Sequence, residues 1–230
     1  TQGDYAAARP LFERALKIRE QALGPDHPAL ASTLSAFGEL LRNTGNYAAA
    51  RPMYLRALKI HEQALGPDHP TIASTLNDFA ELLRHIGDYA AARPMFERAL
   101  RIREQAFGPD HALVAVTLSG LADLLRQTGD HAGARPLLER ALRIREQAFG
   151  PGSPSVALSL NAFGILLLGM GDEAAARPLY ERSLQIARSA SVPETRWRAA
   201  FNLGKIHERA RRPLEALPLY HEAVRTLEGL

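Results

Sequence analysis

The sequence predicts an all-α fold, a solenoid of antiparallel helical hairpins, on three observations. GPDHP at residues 24–28 returns at 66–70, and then as GPDHA at 108–112 and GPGSP at 150–154, with a spacing of 42 residues each time. Apolar residues within each period recur with helical spacing, and no stretch alternates with the period of a strand. Self-similarity at a fixed period of roughly 20 to 50 residues is typical of solenoids, whose units bury their apolar faces against neighbouring units.

The period divides the chain into one repeat array over residues 1–230. The expected units cover residues 1–27 (a second helix only), 28–69, 70–111, 112–153, 154–193 and 194–230, and the last period shortens to 40 residues. The first helix of a unit is predicted from about Pro28 to Thr44, with a helical stripe of apolar residues. The second is predicted from an Asn46 N-cap to about Leu65, where Gly66 and Pro67 end it. A short connection between them predicts an antiparallel hairpin.

The composition, with 46% hydrophobic and 23% charged residues, is typical of a folded globular chain. The absence of cysteine excludes disulfides, thiolate nucleophiles and thiolate-bound zinc. No stretch has the length and apolarity of a membrane helix, and the first residues lack the pattern of a signal peptide. We therefore expect no membrane association and a cytoplasmic location. The net charge of +3 permits nucleic-acid binding without requiring it.

Two recurring features look like functional signals, but a structural role explains both. Asp26 and His27 lie between a helix-ending glycine and a helix-starting proline, so one of them is expected to cap the next helix. The fourth copy replaces the pair by Gly152 and Ser153, which argues against chemistry at each copy. Pro52 and its counterparts in the other units lie inside the second helix, where a bend is expected.

The repeat unit resembles the tetratricopeptide repeat family. The family pattern of large, small and aromatic positions is matched, within one unit, by Leu34, Phe37, Gly38, Leu41, Gly45, Tyr47, Ala50, Tyr54 and Ala57. The 42-residue unit is similar to the kinesin light chain type and to arrays of bacterial multidomain proteins. The resemblance implies a right-handed superhelical solenoid of about five and a half units. It also implies a non-enzymatic scaffold that binds a protein or peptide, as part of a larger protein, without cofactor or metal.

The resemblance also indicates the candidate binding residues, which lie on the first helix of each unit and face the concave surface. These predicted groove residues are Ser35, Glu39, Arg42, Asn43, Asn77, Glu81, Arg84, His85, Ser119, Asp123, Arg126, Gln127, Asn161, Ile165, Leu168, Phe201 and Lys205. They are polar in the first three complete units, apolar in the fourth and basic in the fifth. Catalytic, cofactor and metal residues are not expected.

Several of these residues allow two interpretations. Arg42, Arg84 and Arg126 each follow an acidic residue by three positions, so they form either solvated ion pairs or an exchangeable site for an acidic peptide. Ile165 and Leu168 replace an acid and an arginine of the sister units. They predict either a pocket for an apolar anchor or a surface covered by the last unit. Asn77 and Asn161 could bond the backbone of an extended ligand.

Three other functions are alternatives to peptide binding. Enzymatic activity is disfavoured, since no phosphate loop or catalytic motif stands outside the repeat pattern. Nucleic-acid binding rests on the basic residues between Arg188 and Arg212 and on Trp197 and Phe201 as stacking rings. Self-association rests on the N-terminal end, where a first helix is missing and Phe12, Ala15 and Leu16 would lack a cover. The chain is thus expected to be a fragment that can form a homo-oligomer through this end.

Overall fold

The computed structural model describes residues 2–229, except for the side chains of residues 2–4 and 6. Over this range it contains helices and no strand, as the sequence predicts. The helices are α1 (Gln2–Leu23), α2 (Pro28–Asn43), α3 (Tyr47–Leu65), α4 (Pro70–His85), α5 (Tyr89–Phe107), α6 (Ala112–Gln127), α7 (His131–Phe149), α8 (Pro154–Gly169), α9 (Glu173–Ser189), α10 (Pro193–Arg209) and α11 (Pro213–Glu228). The helices α2, α4, α6, α8 and α10 begin at Pro28, Pro70, Ala112, Pro154 and Pro193.

The helices form two compact units, an N-terminal unit (Thr1–Pro109) and a C-terminal unit (Asp110–Leu230). Even-numbered helices are called A helices here and odd-numbered ones B helices. In the N-terminal unit α2 packs against α3 and α4 against α5, and α1 packs on α2 and α3 on α4. In the C-terminal unit the hairpins are α6 with α7, α8 with α9 and α10 with α11, which stack in that order. Each unit is therefore a stack of A–B hairpins.

Histidine, rather than aspartate, caps α2, α4 and α6. The Nδ1 atom of His27 accepts a hydrogen bond from the Ala29 N–H at 3.2 Å, and His69 and His111 make the same contact in their own repeats. Since an N-cap side chain must accept a bond from the first turn, this resolves the Asp–His alternative. Ser153 occupies the same position without a side-chain cap bond.

The turn within a hairpin follows from one glycine. Gly45 has a φ of 75°, which lies in the left-handed region that a side chain disfavours. Its N–H donates to the Arg42 carbonyl at 3.0 Å, and the Asn46 N–H donates to the Leu41 carbonyl at 2.8 Å. These are the bonds of a Schellman motif, which ends α2 and sends the chain back along it. Asn46 itself makes no side-chain cap bond, whereas Asp88, Asp130 and Asp172 do so at the same position.

The cores depend on a size match between an A helix and its B helix. A Cβ placed on Gly38 would lie 3.0 Å from the ring of Tyr54, and one on Gly164 would lie 2.6 Å from the ring of Tyr180. Where the aromatic position holds the smaller Phe96 or Leu138, the small position is alanine instead, at residues 80 and 122. Close packing of the interior explains this exchange of volume between the two positions.

Consecutive B helices are joined by a periodic ion pair that we call the B-helix bridge. Arg98 contacts Glu62 at 2.6 Å and Arg182 contacts Glu146 at 2.5 Å, and Arg56 pairs with Glu20 in the same way. The second guanidinium nitrogen of each arginine donates to a carbonyl in the preceding interhelix turn, those of Pro25, Pro67 and Pro151. The bridge thus holds a B helix to the B helix and turn before it.

Candidate functional site

In the N-terminal unit the predicted groove residues divide by burial. Glu39, Asn43 and His85 are exposed, while Ser35, Arg42, Glu81 and Arg84 are partly buried. Ser35 shares a hydrogen bond of 3.2 Å with Thr75 on the next A helix. Asn77 is only 7% exposed, and its Oδ1 atom has no hydrogen-bond partner within the described residues. This side of the unit is therefore polar and partly exposed, and Ser35 and Thr75 join its two A helices.

The expected ion pairs form at two of three places. Arg84 contacts Glu81 at 2.7 Å and Arg126 contacts Asp123 at 2.6 Å. The corresponding pair of Arg42 with Glu39 is absent from the described structure, so that expectation is wrong for the first repeat. The buried Nε atom of Arg42 lacks a hydrogen-bond partner there. Asp78 on α4 is a further acid in this region, and the charges of Arg42 and Glu39 both act on it.

Asp78 is partly buried and belongs to a polar cluster that the sequence did not indicate. Burial, followed by the negative charge of Glu39, raises the pKa of Asp78 to about 6, against the opposing charges of Arg42 and Arg103. The hydroxyl of Tyr54 lies in the same cluster without a hydrogen bond, and burial and then Asp78 raise its pKa. Asp78 is the only acid at its repeat position, which was the available signal.

In the C-terminal unit five predicted groove residues come together around a cavity of about 260 Å³. They are Ser119, Asp123, Arg126, Asn161 and Ile165, and the lining is completed by Ala122, Leu138, Leu158, Ala162 and Arg198. Both α6 and α8 contribute to it, with Leu138 from α7 and Arg198 from α10. We call this the α6–α8 cavity. The sequence had grouped its polar and apolar residues without showing that they share one opening.

Asn161 lines the α6–α8 cavity, and its Oδ1 atom is buried. Asn161 is 5% exposed, and this oxygen has no hydrogen-bond partner among the described residues. A buried acceptor without a donor is unfavourable by about 1–3 kcal/mol, so such groups usually have water or a ligand as partner. Ile165 and Leu158, which are 36% and 51% exposed, give the same cavity an apolar wall.

The remaining predicted residues lie outside the α6–α8 cavity. Leu168 is partly buried and does not line it, and Gln127 is exposed. Phe201 and Lys205 line a separate depression with Trp197 and Tyr220, in which Lys205 lies 5.6 Å from the Phe201 ring centre. The structure therefore supports a pocket beside Ile165, but it does not place Leu168 in that pocket.

The basic segment of the last repeat is largely engaged in ion pairs. Arg188 and Arg196 both contact Glu222, Arg209 contacts Glu173 at 2.8 Å, and Arg212 lies 3.8 Å from Glu215. Arg198 lies over the ring of Trp197 at 5.4 Å. These contacts use much of the charge on which the nucleic-acid alternative rested, so the structure gives that alternative no additional support.

Two arginines inside the stacks, Arg145 and Arg103, were not indicated by the sequence. Arg145 on α7 donates to Ser119 Oγ at 2.9 Å and to the Ala115 carbonyl at 3.2 Å, and it also contacts Ser159. It thereby ties α6 to α8 beneath the α6–α8 cavity, and burial lowers its pKa. Arg103 occupies the same position in the N-terminal unit, where it is 4% exposed. The signal was a charged residue recurring at a core-facing position.

No group of three or more histidine, cysteine, aspartate or glutamate side chains is arranged to hold a metal ion in the described part of the chain. Within the same range, none of the helices has both the length and the apolar character that a bilayer crossing requires.

Comparisons with known proteins agree with this architecture. Models described as tetratricopeptide repeat match residues 1–62, 30–105, 71–147 and 113–189, and a second model of the same description matches residues 161–229. No curated protein sequence matches the chain.

Solved structures share the fold at low sequence identity. BtubC (BKLC) from P. vanneervenii superposes with a TM-score of 0.80 at 23% identity, covering 99% of this chain and 91% of its own. A putative kinesin light chain of Podosopora anserina gives 0.73 at 17%, covering 87% and 96%. A Rap protein complexed with Competence and Sporulation Factor gives 0.71 at 18%, covering 84% and 54%. These likenesses confirm the predicted helical-repeat solenoid.

Proposed function

The chain belongs to the tetratricopeptide repeat family, and on that premise we propose that it is a non-enzymatic scaffold for protein–protein interaction. Its ligand is an extended peptide or partner segment that lies along A helices. We further propose that it acts in the cytoplasm as part of a larger multidomain protein. The Rap structure, which contains a bound factor, supports partner binding by analogy of fold.

The observation that carries the proposal is the unpartnered acceptor in the α6–α8 cavity. An extended peptide offers a main-chain N–H at every residue except proline, and this donor suits the Asn161 Oδ1 atom. The cavity of about 260 Å³ has room for one aliphatic side chain beside that contact. Binding would therefore satisfy a buried polar atom and cover exposed apolar surface in one step.

The lining also specifies the ligand that fits the α6–α8 cavity best. Leu158 and Ile165 suit an aliphatic anchor, because both present apolar surface to solvent. Arg198 and the Arg126–Asp123 pair lie on the same lining, so a carboxylate next to the anchor could bind a guanidinium group. The proposed ligand is thus an acidic peptide with one apolar anchor.

A peptide-display screen on the 230-residue chain would supply the ligand for the test. Ile165→Glu places a charge on the apolar wall and should weaken binding of the selected peptide at least tenfold, with helicity unchanged by circular dichroism. Asn161→Ala should weaken it about fivefold or more, because the peptide N–H loses its acceptor. Phe149→Glu is the matched control, since Phe149 is 55% exposed and outside the cavity. Equal affinities for all three variants would contradict the proposal.

A second candidate function is self-association, as the sequence suggested for the N-terminal end. The observation that favours it is an apolar depression of about 400 Å³ lined by Leu11, Phe12 and Ala15 of α1 together with residues of α2. Phe12 stacks on Phe37 at 5.6 Å and Leu16 packs on the first core, so the expected lack of cover is only partial. A molar mass that rises with concentration in light scattering, and falls for Leu11→Glu, would favour this alternative.

A further inference from the structure

The last two B helices carry the B-helix bridge with its charges reversed. In the regular bridge an acid on the earlier B helix meets an arginine 36 residues later, as in Glu146 with Arg182. One repeat further on, Arg188 takes the place of Glu146 and Glu222 takes the place of Arg182, at a separation of 34 residues. The two-residue difference reflects the shortened last repeat. An ion pair still forms, but its cation now comes from the earlier helix.

The reversal gathers positive charge around one carboxylate. Arg188 Nε donates to Glu222 Oε1 at 2.9 Å while its Nη2 donates to Oε2, and Arg196 Nε donates to Oε1 at 2.7 Å. The Glu222 side chain is 13% exposed, whereas those of Arg188 and Arg196 are 51% and 42% exposed. The carboxylate is thus enclosed and both guanidinium groups remain open to solvent.

A cavity of about 660 Å³ opens beside these groups. Its lining consists of Arg188, Pro193, Arg196, Pro218, His221, Glu222, Arg225, Thr226 and Gly229. Three arginines oppose a single acid, which leaves two uncompensated positive charges before His221 is counted. Pro193 places the N-terminus of α10 at the rim, and the partial positive charge of a helix N-terminus adds to the field. We call this the α9–α11 cavity.

The acid is held in its ionised form. Hydrogen bonds from Arg188 and then from Arg196 keep the pKa of Glu222 below its usual range, against the opposing effect of burial. The same contact with Glu222 raises the pKa of Arg188. Glu222 therefore occupies the place among the arginines that an anionic group of a ligand would take. It is held by the charge-assisted hydrogen bonds that guanidinium groups make with oxyanions.

We propose that the α9–α11 cavity is a binding site for a phosphomonoester dianion, with Arg188, Arg196 and Arg225 as its cationic donors. A monoanionic carboxylate carries the same charge as Glu222 and would compete with it at a disadvantage, because Glu222 is already tethered in place. A dianion is favoured by its higher charge, and it balances the two uncompensated positive charges of the lining. The site shares no lining residue with the α6–α8 cavity, so it goes beyond the proposed peptide-binding function.

The test is an NMR titration of the 230-residue chain with inorganic phosphate and with O-phosphoserine at constant ionic strength and pH 7.5. The expected result is saturable shifts of amide signals in α10 and α11. Glu222→Gln should tighten binding about fivefold to tenfold, because it removes the competing charge and leaves the arginines in place. Arg225→Gln should weaken binding about threefold or more. Tighter phosphate binding by Glu222→Gln would show that Glu222 competes with the ligand inside the site. Non-specific attraction of phosphate to a basic surface would be screened by salt and would not depend on this one residue in that way.

Arg177→Gln is the matched control, because Arg177 lies in the same unit but does not line the cavity. Its guanidinium group contacts Glu181 at 2.7 Å. The substitution should leave phosphate affinity unchanged. If Glu222→Gln lowers the folded fraction in a thermal melt, Arg225→Gln decides, since Arg225 is exposed. No saturable phosphate binding to the unaltered chain, or equal weakening by Arg177→Gln and Arg225→Gln, would overturn the proposal.

The source of the phosphate is distinguished by a third titration, with a phosphoserine peptide and its unphosphorylated form. A phosphopeptide that binds at least tenfold more tightly than O-phosphoserine would assign the site to a phosphorylated segment of a partner protein. Equal affinities would assign it to a small phosphorylated molecule. Peptide binding at the α6–α8 cavity would remain intact in Arg225→Gln, so failure of one proposal would not imply failure of the other.

Discussion

Tyr54 and Tyr180 occupy the same repeat position, one in each compact unit, and their surroundings differ. Both are fully buried, and neither hydroxyl has a hydrogen-bond partner in the described structure. Around Tyr54 the charges of Asp78, Arg42 and Glu39 all act on the hydroxyl. Around Tyr180 burial alone raises the pKa, because the repeat places the uncharged Asn202, Leu168 and Ile165 at the corresponding positions.

The comparison shows that the same backbone repeat can place either charged or uncharged side chains beside the buried tyrosine. In the N-terminal unit the A-helix face is closed by charged groups that interact with one another. In the C-terminal unit α8 has Ile165 and Leu168 in place of the acid and the arginine, and Ile165 gives the α6–α8 cavity an apolar wall opposite the Asp123–Arg126 pair of α6. The difference suggests that the repeat period maintains the fold, while exchanges at a few A-helix positions determine where a ligand can bind.

The largest expected effect comes from giving the N-terminal unit the neutral residue of the C-terminal one, by Asp78→Asn. The pKa of Asp78 is raised from 3.8 to about 6, so the folded state holds the proton more tightly than the unfolded state. Its contribution to stability is present at low pH and is lost as the pH rises through about 6. Asp78→Asn should therefore raise the free energy of unfolding by about 2–3 kcal/mol at pH 7.5 and by almost nothing at pH 4.

Urea denaturation at the two pH values measures this effect. Asp68→Asn makes the same chemical change in an exposed turn and should leave the pH dependence as it is. A gain of stability that is equal at both pH values would show that ionisation of Asp78 is not its cause.

The second effect tests the packing under each tyrosine. Gly164→Ala should lower the free energy of unfolding by about 1–3 kcal/mol, because the new Cβ would lie 2.6 Å from the Tyr180 ring. Gly38→Ala should cost less, because the corresponding distance to Tyr54 is 3.0 Å and alanine has the better helix propensity. Chemical denaturation ranks the two, with Gly152→Ala as a control whose Cβ meets nothing within 4 Å. The reverse order would refute the size match.

The smallest effect concerns the two hydroxyls. Tyr180→Phe removes a buried polar group that has no partner and should leave stability unchanged or raise it by about 1 kcal/mol. Tyr54→Phe should gain less, because the charges near the hydroxyl interact with it. Thermal unfolding of both variants gives the difference. A clear loss of stability in Tyr180→Phe would indicate that a bound water satisfies the hydroxyl.

Much of the fold could be predicted from the sequence, because its signals are local. The Gly–Pro stops, the cap positions and the apolar spacing gave helix bounds that agree with α2 and α3 to about a residue. The candidate site was predicted less well. The grouping of Ser119, Asp123, Arg126, Asn161 and Ile165 followed from their repeat positions, but Leu168 did not join them and Arg42 did not pair with Glu39. Both outcomes depend on neighbouring helices, whose side-chain packing a repeat pattern does not specify.

The sequence by itself determined the period and the helical hairpins, since these follow from backbone preferences and from the spacing of apolar residues. Tertiary structure decided which polar atoms are buried without a hydrogen-bond partner and how far the pKa of Asp78 is raised. It also decided that Glu222 contacts both Arg188 and Arg196. The physical reason is distance. Hydrogen bonds and desolvation depend on positions within an ångström, and those positions are set only when side chains from different helices pack together.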